Sequence, residues 1–494
     1  MIHNSRHPRL AAISLILAPS LLLLLLFAAV HTFPFLHQDN LSYSLLPPLP
    51  NNERAPLQLS NDPYTNKTSQ HQTEVEPGTY SFGSTIVTAF QVGRFSDGGS
   101  SNIGWATSTD GGNTWKNGLL PGTTQFDRGP YTRVSDPSVA YDAAYSTWII
   151  SSLAVTGSGN SLASPAVIVS LSTNGGLNWG RPITVVNGGS TFYDKEWIVC
   201  DSTSASKFYG HCYVEWDDDN KGGLILMSTS TDGGHHWGQA LTTANKAKGL
   251  GGQPLVQPNG TVIVPISGYA TSRMLAFIST NGGTSWSATV TVAQITGSVL
   301  PTAAIDGSGK VYLVWVDCQF EKDCKPGGGS DVSADRSEND SSDTSLSGSE
   351  DDLVMSTSMD GFHWSPVQLI PIDPLGSGID HVVPGLGVDK DTSGNSAHLA
   401  LAFYYHSTNC NNGDCQFYAG FVASVDGGNH WTKKIQLAGP MNLSWLPKGR
   451  NKVGDYISMS FLNGNAYPVF SIAFALSDGH FSEAMYTITG GLAV

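Results

Sequence analysis

One short motif occurs six times in this chain and constrains its fold more than any other feature. It reads Ser-Thr-Asp-Gly-Gly-Asn-Thr-Trp at residues 108–115, and copies of the same length follow at 172–179, 230–237, 279–286 and 424–431. A copy one residue shorter lies at 358–364. Repetition at this spacing predicts that one supersecondary unit is repeated along the chain.

The motif has a structural interpretation. Asp or Asn before two glycines suits a tight hairpin turn, because the side chain accepts N–H groups of the turn and glycine adopts positive φ without strain. The tryptophan can fold over the turn and bury its ring. Asn174 and Asn281 replace the acid in two copies. A turn needs only an acceptor there, whereas proton transfer would need the acid, so we interpret the motif as structural.

The pattern S-x-[DN]-G-G-x-x-W resembles the BNR, or Asp-box, repeat of the sialidase superfamily and of related β-propellers. The resemblance extends over most of the chain, from residue 108 to residue 431. It implies an all-β fold, a propeller of four-stranded antiparallel blades. Sialidases of that family have six blades.

A second repeat indicates the number of blades. Short strands, often opened by proline, start near residues 76, 136, 196, 253, 301, 384 and 455. Their small residues suit an innermost strand, and proline suits the first position of a strand. We therefore predict seven blades, with six as the alternative. Because the last unit lacks a fourth strand, we expect Leu57–Ser60 to pair beside the strand near Ala484–Ile488 and close the ring.

The N-terminal region has a different composition. Residues 10–30 are almost wholly apolar and about long enough to span a bilayer, so residues 1–30 are expected to be a membrane anchor or a signal peptide. Residues 31–54 are rich in Pro, Asn and Ser and are expected to form a flexible stalk. The propeller would then occupy residues 55–494, with a disordered acidic loop at 325–352.

The net charge limits the partners of this protein, and the cysteines, like the apolar N-terminus, predict that it lies outside the cytoplasm. The net charge of −15 argues against binding of nucleic acid, which needs a basic surface. Six cysteines form three local pairs, which predict three disulfides. The pairs are Cys200 with Cys212, Cys318 with Cys324, and Cys410 with Cys415. We expect a monomer at the cell surface, or a secreted one, with no cofactor or metal.

Candidate catalytic residues lie at the openings of the inner strands. Glu76, Asp136, Glu196 and Asp455 are expected to converge at the mouth of the channel, where carboxylates raise one another's pKa. The alternative is that these acids bond to N–H groups of neighbouring loops. Tyr456, which follows Asp455, is the fifth candidate.

The resemblance to sialidases implies an arginine clamp for the substrate carboxylate, an acidic Asp and a Tyr–Glu pair. Arginine is suited to such a clamp because it binds carboxylates through two parallel hydrogen bonds. The candidates in this chain are Arg94, Arg128, Arg133 and Arg450. The family's Arg-Ile-Pro or Arg-Leu-Pro motif is absent, and no Tyr–Glu pair can be assigned unambiguously.

Two classes of function remain open at this stage. The first is a sialidase-like glycoside hydrolase acting on acidic glycans outside the cytoplasm. The second is a non-catalytic cell-surface propeller that binds a glycan or a glycoprotein. A cluster of arginines beside paired carboxylates on one face would favour the first class.

Overall fold

The computed structural model describes residues 55–494 except 270, 297–299, 323, 325–349, 409–414 and 448–452. The predicted anchor or signal peptide, the predicted stalk and most of the predicted acidic loop therefore lie outside the described residues. In the part of the chain that is described, no helix has both the length and the apolar character needed to cross a membrane.

Strands form nearly all of the regular structure. In chain order they are β1 Pro56–Gln58, β2 Glu74–Phe82, β3 Thr85–Arg94, β4 Ser100–Ser108, β5 Lys116–Leu119, β6 Arg133–Asp142, β7 Thr147–Thr156, β8 Ala163–Ser172, β9 Ile183–Asn187, β10 Tyr193–Cys200, β11 Cys212–Asp218, β12 Leu224–Ser230, β13 Leu241–Thr242, β14 Gly249–Leu250, β15 Leu255–Val256, β16 Val262–Gly268, β17 Arg273–Ser279, β18 Val290–Gln294, β19 Thr302–Ile305, β20 Val311–Asp317, β21 Asp352–Ser358, β22 Gln368–Leu369, β23 Ile379–Val388, β24 Leu399–Ser407, β25 Gln416–Ser424, β26 Ile435–Asn442, β27 Ser458–Leu462, β28 Asn465–Ser477, β29 His480–Ile488 and β30 Leu492–Ala493. Short 3-10 turns lie at Gln125–Asp127, Gly159–Ser161, Asp219–Lys221, Gly394–Ser396 and Leu443–Trp445.

These strands pair in sequence order into antiparallel sheets. The described residues form six sheets, of which one contains eight strands and the others four or five. A representative order is β10-β11-β12-β13, in which each strand pairs with the next along the chain. This is the predicted order of inner, second, third and outer strand, and it confirms an all-β antiparallel fold.

Neighbouring units contact one another through their inner strands. Where two short strands, β14 and β15, both pair with β16, β15 makes these contacts. β2 contacts β6, β6 contacts β10, β10 contacts β15, β15 contacts β19, β19 contacts β23, and β23 contacts β27. β27 in turn contacts β2, so the inner strands form a closed ring. Radial repetition of antiparallel units around a closed ring is the architecture of a β-propeller.

A recurring hydrogen bond joins neighbouring inner strands. A backbone N–H on one inner strand donates to a polar side chain on another, as Ile198 N–H does to Ser138 Oγ at 2.8 Å and Leu386 N–H to Thr302 Oγ1 at 3.1 Å. Thr79 N–H donates to Ser458 Oγ at 3.1 Å across the point where the ring closes. These bonds explain why small polar residues recur on the inner strands, where backbones approach closely and each buried N–H needs an acceptor.

The hydrophobic core lies between the sheets. Second and third strands are buried on both faces, and Trp216, Trp315 and Phe403 are among the largest side chains that are completely buried. Strands covered on both faces carry continuous apolar runs rather than an alternating pattern. The run Trp-Ile-Ile at 148–150 in β7 is an example.

The Asp-boxes are turns with a common set of hydrogen bonds. In the last copy, Ser424 Oγ donates to Asp426 Oδ1 at 2.9 Å and accepts from Gly428 N–H at 3.0 Å, while Trp431 Nε1–H donates to the Gly428 carbonyl at 3.1 Å. In the Asn174 copy the amide oxygen takes the place of the carboxylate and accepts from Ser172 Oγ at 3.0 Å. The structural interpretation of the motif is thereby confirmed.

Two of the three predicted disulfides are present among the described residues. Cys200 bonds to Cys212, which joins β10 to β11, and Cys318 bonds to Cys324 just after β20. Cys415 is also disulfide-bonded, but its predicted partner Cys410 lies outside the described residues.

The chain ends meet in one sheet. β1 pairs antiparallel with β29 in the register Pro56 with Ile488, Leu57 with Thr487 and Gln58 with Tyr486. The order in this sheet is β1-β29-β28-β27, so the N-terminal strand occupies the outer position of the unit that contains the C-terminal strands.

Candidate functional site

Four inner strands bulge at the same point. The pairing of β2, β6, β10 and β23 with their second strands shifts register there. The residue at each bulge adopts positive φ, 58° at Glu76, 48° at Asp136, 49° at Lys195 and 51° at Val383. Non-glycine residues rarely adopt this conformation, and bulges commonly redirect a side chain next to a functional site.

The bulges revise the predicted alignment of the strands. Glu196 was predicted to occupy the position of Glu76 and Asp136, but the structure places Lys195 there and Glu196 one residue later. Asp455, also predicted to open an inner strand, precedes β27, and its backbone N–H donates to Glu76 Oε1 at 3.3 Å. The ring of acids predicted at the channel mouth therefore has a lysine among its members.

Lys195 holds two of the predicted acids together. Its Nζ atom lies 2.8 Å from Asp455 Oδ2 and 3.7 Å from Asp136 Oδ2, and 4.0 Å from Asp194 Oδ1. Burial opposes the charge of Lys195, but these carboxylates and Glu76 raise its pKa well above the usual value. The ammonium group therefore stays protonated and compensates the charge of the acids around it.

A side-chain amide links the remaining carboxylates. Gln91 Nε2, from β3, donates to Glu76 Oε2 and lies 3.4 Å from Asp136 Oδ1. Ser135 Oγ donates to Asp136 Oδ1 at 2.8 Å. Glu76, Asp136 and Asp455 thus belong to one hydrogen-bonded network with Lys195.

Glu196 and Tyr456 lie beside this network and are buried, at 1% and 9% exposure. Burial and then the charges of Asp136 and Glu215 raise the pKa of Glu196 well above its usual value, although the Ser151 hydroxyl opposes the shift. The protonated form of Glu196 is therefore favoured. Burial, followed by the charges of Asp136 and other nearby carboxylates, raises the pKa of Tyr456. Its hydroxyl has no hydrogen-bond partner among the described residues.

The four candidate arginines do not form a common cluster within the described residues. Arg133 forms a salt bridge with Asp97 at 2.5 Å and lies 4.1 Å from the centre of the Phe95 ring. Arg128 is exposed in a loop after a 3-10 turn, and Arg450 lies outside the described residues. Arg94 alone among them lines the cavity described next.

A cavity of about 370 Å³ lies against the Lys195 network. This size falls within the range of small-molecule sites. Its charged lining residues are Glu76, Arg94, Asp97, Asp136, Asp194, Lys195, Asp219 and Asp455. Six acids therefore face two bases, and the cavity is strongly acidic. Glu196 and Tyr456 do not belong to the lining and lie behind it.

Sequence reasoning missed the central role of Lys195 and the contribution of Gln91. The sequence did contain a signal for Lys195. The segment Glu196–Asp201 aligns with Pro137–Asp142, so Lys195 is equivalent in the repeat to Asp136. Nothing in the sequence marked Gln91, because its role depends on contacts of β3 with Glu76 of β2 and Asp136 of β6.

Comparison with known proteins gives structural likenesses only. A Hadza microbial sialidase matches with 15% identity and a TM-score of 0.41, over 85% of this chain and 66% of that one. The match therefore spans slightly less than two thirds of the length of that sialidase. The NanB sialidase of Streptococcus pneumoniae matches with 14% identity and a TM-score of 0.42, over 89% of this chain and 71% of that one. An ulvan lyase of polysaccharide lyase family 25 matches with 11% identity and a TM-score of 0.47, over 88% of this chain and 95% of that one.

No protein-family model matches the chain, and no curated protein does. At such low identities, none of the structural likenesses assigns an activity.

Proposed function

We propose that this protein is an exported glycoside hydrolase built on a seven-bladed propeller. The blade count is supported by a division of the eight-stranded sheet into β2-β3-β4-β5 and β6-β7-β8-β9, which a single residue pair, Ser100 with Val134, joins. Pairing of β1 with β29 then supplies the outer strand of the last blade. Export is supported by the disulfides, which persist in oxidising compartments; the anchor at residues 10–30 remains a prediction from sequence.

The proposal of activity rests on one observation. Asp136 and Asp455 both form salt bridges with Lys195 at the wall of the cavity. The distances from Lys195 Nζ place their nearest oxygens no more than about 6.5 Å apart, which includes the separation of about 5–5.5 Å between the carboxyl groups of retaining glycosidases and only reaches the lower limit of inverting ones. Two carboxyl groups at such spacing can serve as acid and nucleophile at a glycosidic bond.

The contacts suggest which residue takes which role. Lys195 lies closer to Asp455 than to Asp136, and we assign Asp455 as the nucleophile that attacks the sugar. Asp136 is then the acid that protonates the leaving oxygen, and it later activates the water that hydrolyses the glycosyl-enzyme bond. Arg94 contacts the substrate from the cavity wall, and Lys195 is a positioning residue.

The charge of the cavity indicates the class of glycan. Six acids against two bases would repel the carboxylate of an anionic sugar. A neutral or amino sugar fits this environment better than the acidic glycan that the resemblance to sialidases implies. Partner glycans attached to protein or lipid at the cell surface remain compatible with this chemistry.

A second candidate is a propeller that binds glycans without cleaving them. It is favoured by Lys195 itself, since an ammonium group between Asp136 and Asp455 can be a purely structural counter-ion. It is also favoured by the arginines, because Arg94 alone among the described candidate arginines lines the cavity.

The test is hydrolysis of a panel of neutral, amino and sialylated oligosaccharides by the purified full chain. We expect cleavage of a neutral or amino sugar, and a loss of at least about 10³-fold in kcat for Asp136→Asn and Asp455→Asn. The matched control is Asp391→Asn, an exposed acid outside the site. Binding without cleavage across the panel would replace the hydrolase by the second candidate, and cleavage of sialylated substrates alone would overturn the substrate class.

A further inference from the structure

Two loops from neighbouring four-stranded units form one wall of the cavity. The first loop, residues 95–99, joins β3 to β4, and the second, residues 157–162, joins β7 to β8. The residues of these loops that line the cavity are Ser96, Asp97, Gly98, Gly99, Gly159 and Leu162. The shape of this wall therefore depends on how the two loops are held against each other.

The carboxylate of Asp97 joins the two loops. Its Oδ2 atom accepts the Gly159 N–H at 3.1 Å, which links the loops directly. It also accepts two hydrogen bonds from the Arg133 guanidinium, at 2.5 Å from Nη1 to Oδ1 and at 3.2 Å from Nη2 to Oδ2. Because Arg133 is the first residue of β6, Asp97 is anchored to the unit that carries the second loop.

Arg133 also fixes the shape of the first loop. Its Nη1 donates to the Gly98 carbonyl at 2.8 Å, and its guanidinium lies 4.1 Å from the centre of the Phe95 ring. Phe95 N–H donates to the Gly99 carbonyl at 2.8 Å, which closes the loop on itself. Gly99 has a φ of 72°, and a Cβ atom there would lie only 3.3 Å from Arg133 Cβ. The planar guanidinium can bond and stack at the same time, which a lysine could not do.

The pair of Asp97 and Arg133 is suited to hold this position permanently. The Arg133 side chain is 4% exposed and that of Asp97 is 28% exposed. Burial opposes the charge of Asp97, but the hydrogen bonds from Arg133 and Gly159 lower its pKa below the ordinary value. Asp97 therefore stays ionised near neutral pH. A bidentate pair of ionised groups is stronger than a neutral hydrogen bond and fixes geometry as well.

The wall presents little net charge to a ligand. Asp97 is the only charged residue in the two loops, and Arg133 compensates it. Leu153 and Val155 of β7 line the cavity as well and are apolar. An uncharged sugar can therefore pack against this wall, whereas the acids of the Lys195 network lie elsewhere in the lining.

We propose that Asp97 is a positioning residue that holds this wall in place through Arg133 and the 157–162 loop, and so sets the affinity of the cavity for a neutral sugar. This inference rests on the proposed function, because it takes the cavity as the glycan site. The carboxylates assigned to the chemistry are held by Lys195 and not by Asp97. Loss of the wall should therefore weaken binding more than it slows the chemical step.

The first test compares the parent with Asp97→Ala and Asp97→Asn on the neutral oligosaccharide that the parent cleaves. We expect Asp97→Ala to raise KM at least about tenfold and to keep kcat within about threefold, because it removes binding shared by ground and transition states. Asp97→Asn retains one acceptor oxygen for Arg133 or Gly159, so its KM should be intermediate. Asp391→Ala, an exposed acid outside the cavity, is the matched control and should behave as the parent.

The second test needs no substrate. Hydrogen exchange of peptides covering residues 95–99 and 157–162 should be at least about tenfold faster in Asp97→Ala, because the Gly159 N–H loses its acceptor. Arg133→Met should have the same effect. The variant with both changes should raise KM no further than the larger single change, since both act through one contact.

The outcomes distinguish this inference from the proposed function. If the parent binds a neutral sugar without cleaving it, the same comparison is made on Kd. An unchanged KM or Kd in Asp97→Ala, or additive increases in the double variant, would overturn the positioning role. Unchanged hydrogen exchange would overturn the contact between the loops. A parent that neither binds nor cleaves a neutral sugar would overturn the proposed function and the role in affinity, whereas faster exchange in Asp97→Ala would still support the contact.

Discussion

The Nζ atom of Lys195 lies 2.8 Å from Oδ2 of Asp455, although 260 residues separate them in the sequence. Lys195 belongs to β10, and Asp455 precedes β27, so the bond crosses the centre of the ring. Both side chains are almost fully buried, at 9% and 4% exposure. A buried pair of this kind fixes the positions of the surrounding acids and thereby the shape of the cavity.

Replacing Lys195 by methionine should destabilise the protein. The change leaves Asp136, Asp194 and Asp455 without their cation, and removal of one partner of a buried ion pair costs about 3–5 kcal/mol. Urea denaturation followed by tryptophan fluorescence would measure the free energy of unfolding. Lys433→Met is the matched control, because Lys433 is exposed and a substitution at the surface usually changes stability by less than about 0.5 kcal/mol. Equal losses in both variants would show that the central network contributes little.

The stability of the fold should decrease as the pH rises through the neutral range. Glu74 is almost completely buried, and this burial raises its pKa to about 8 from an ordinary value of 4.5. A raised pKa means that the folded state holds a proton that the unfolded state releases. The stabilisation is therefore complete below pH 4.5 and is lost as the pH rises toward 8.

The variant Glu74→Gln isolates this effect. Glutamine can still accept the hydrogen bond from Ser60 Oγ, which is 2.9 Å from Glu74 Oε2, but it does not titrate. We expect the slope of unfolding free energy against pH between 5 and 8 to become less negative by up to about 1.4 kcal/mol per pH unit. Asp391→Asn, an exposed control, should leave the slope as it was. An unchanged slope in Glu74→Gln would mean that Glu74 is charged in the folded protein.

The two described disulfides should differ in their contribution to stability. Removing Cys200–Cys212 by a double substitution to alanine releases a loop with a separation of 12 residues and should cost about 3 kcal/mol. The Cys318–Cys324 loop has a separation of 6, so its removal should cost less. Denaturant titration of both double variants checks the order. A larger loss from Cys318–Cys324 would indicate that the loop around Glu321 depends on that bond.

The parts of the fold that could be predicted from sequence are local. Each Asp-box contains its own donors and acceptors within a few residues, as the bonds from Ser424 to Asp426 and from Trp431 to Gly428 show. Strand order followed from the same repeat, because short turns force successive strands to pair. The two described disulfides were equally predictable, since their cysteines are close in sequence.

The site was only partly predictable because its contacts are long-range. Asp136 and Asp455 were predicted to lie together and do so, but the lysine that joins them was not part of that prediction. Arg133, proposed to bind substrate, instead pairs with Asp97, which nothing in the sequence marked as its partner. Because β10 has a one-residue bulge, Lys195 occupies the position that was predicted for Glu196. Bulges depend on packing between strands rather than on local sequence preference.

Tyr456 provides the sharpest test of how the site works. The resemblance to sialidases implies a tyrosine nucleophile, but the hydroxyl of Tyr456 is buried behind the cavity and burial raises its pKa. We therefore expect Tyr456→Phe to keep kcat within about threefold of the parent, and to unfold at the same denaturant concentration or a higher one, because a buried hydroxyl with no partner among the described residues is removed. Asp136→Asn, measured on the same substrate, should by contrast lose at least about 10³-fold in kcat. If Tyr456→Phe instead loses activity by more than about 100-fold while its stability is unchanged, the tyrosine reacts with the substrate, and the assignment of the chemistry to Asp136 and Asp455 is wrong.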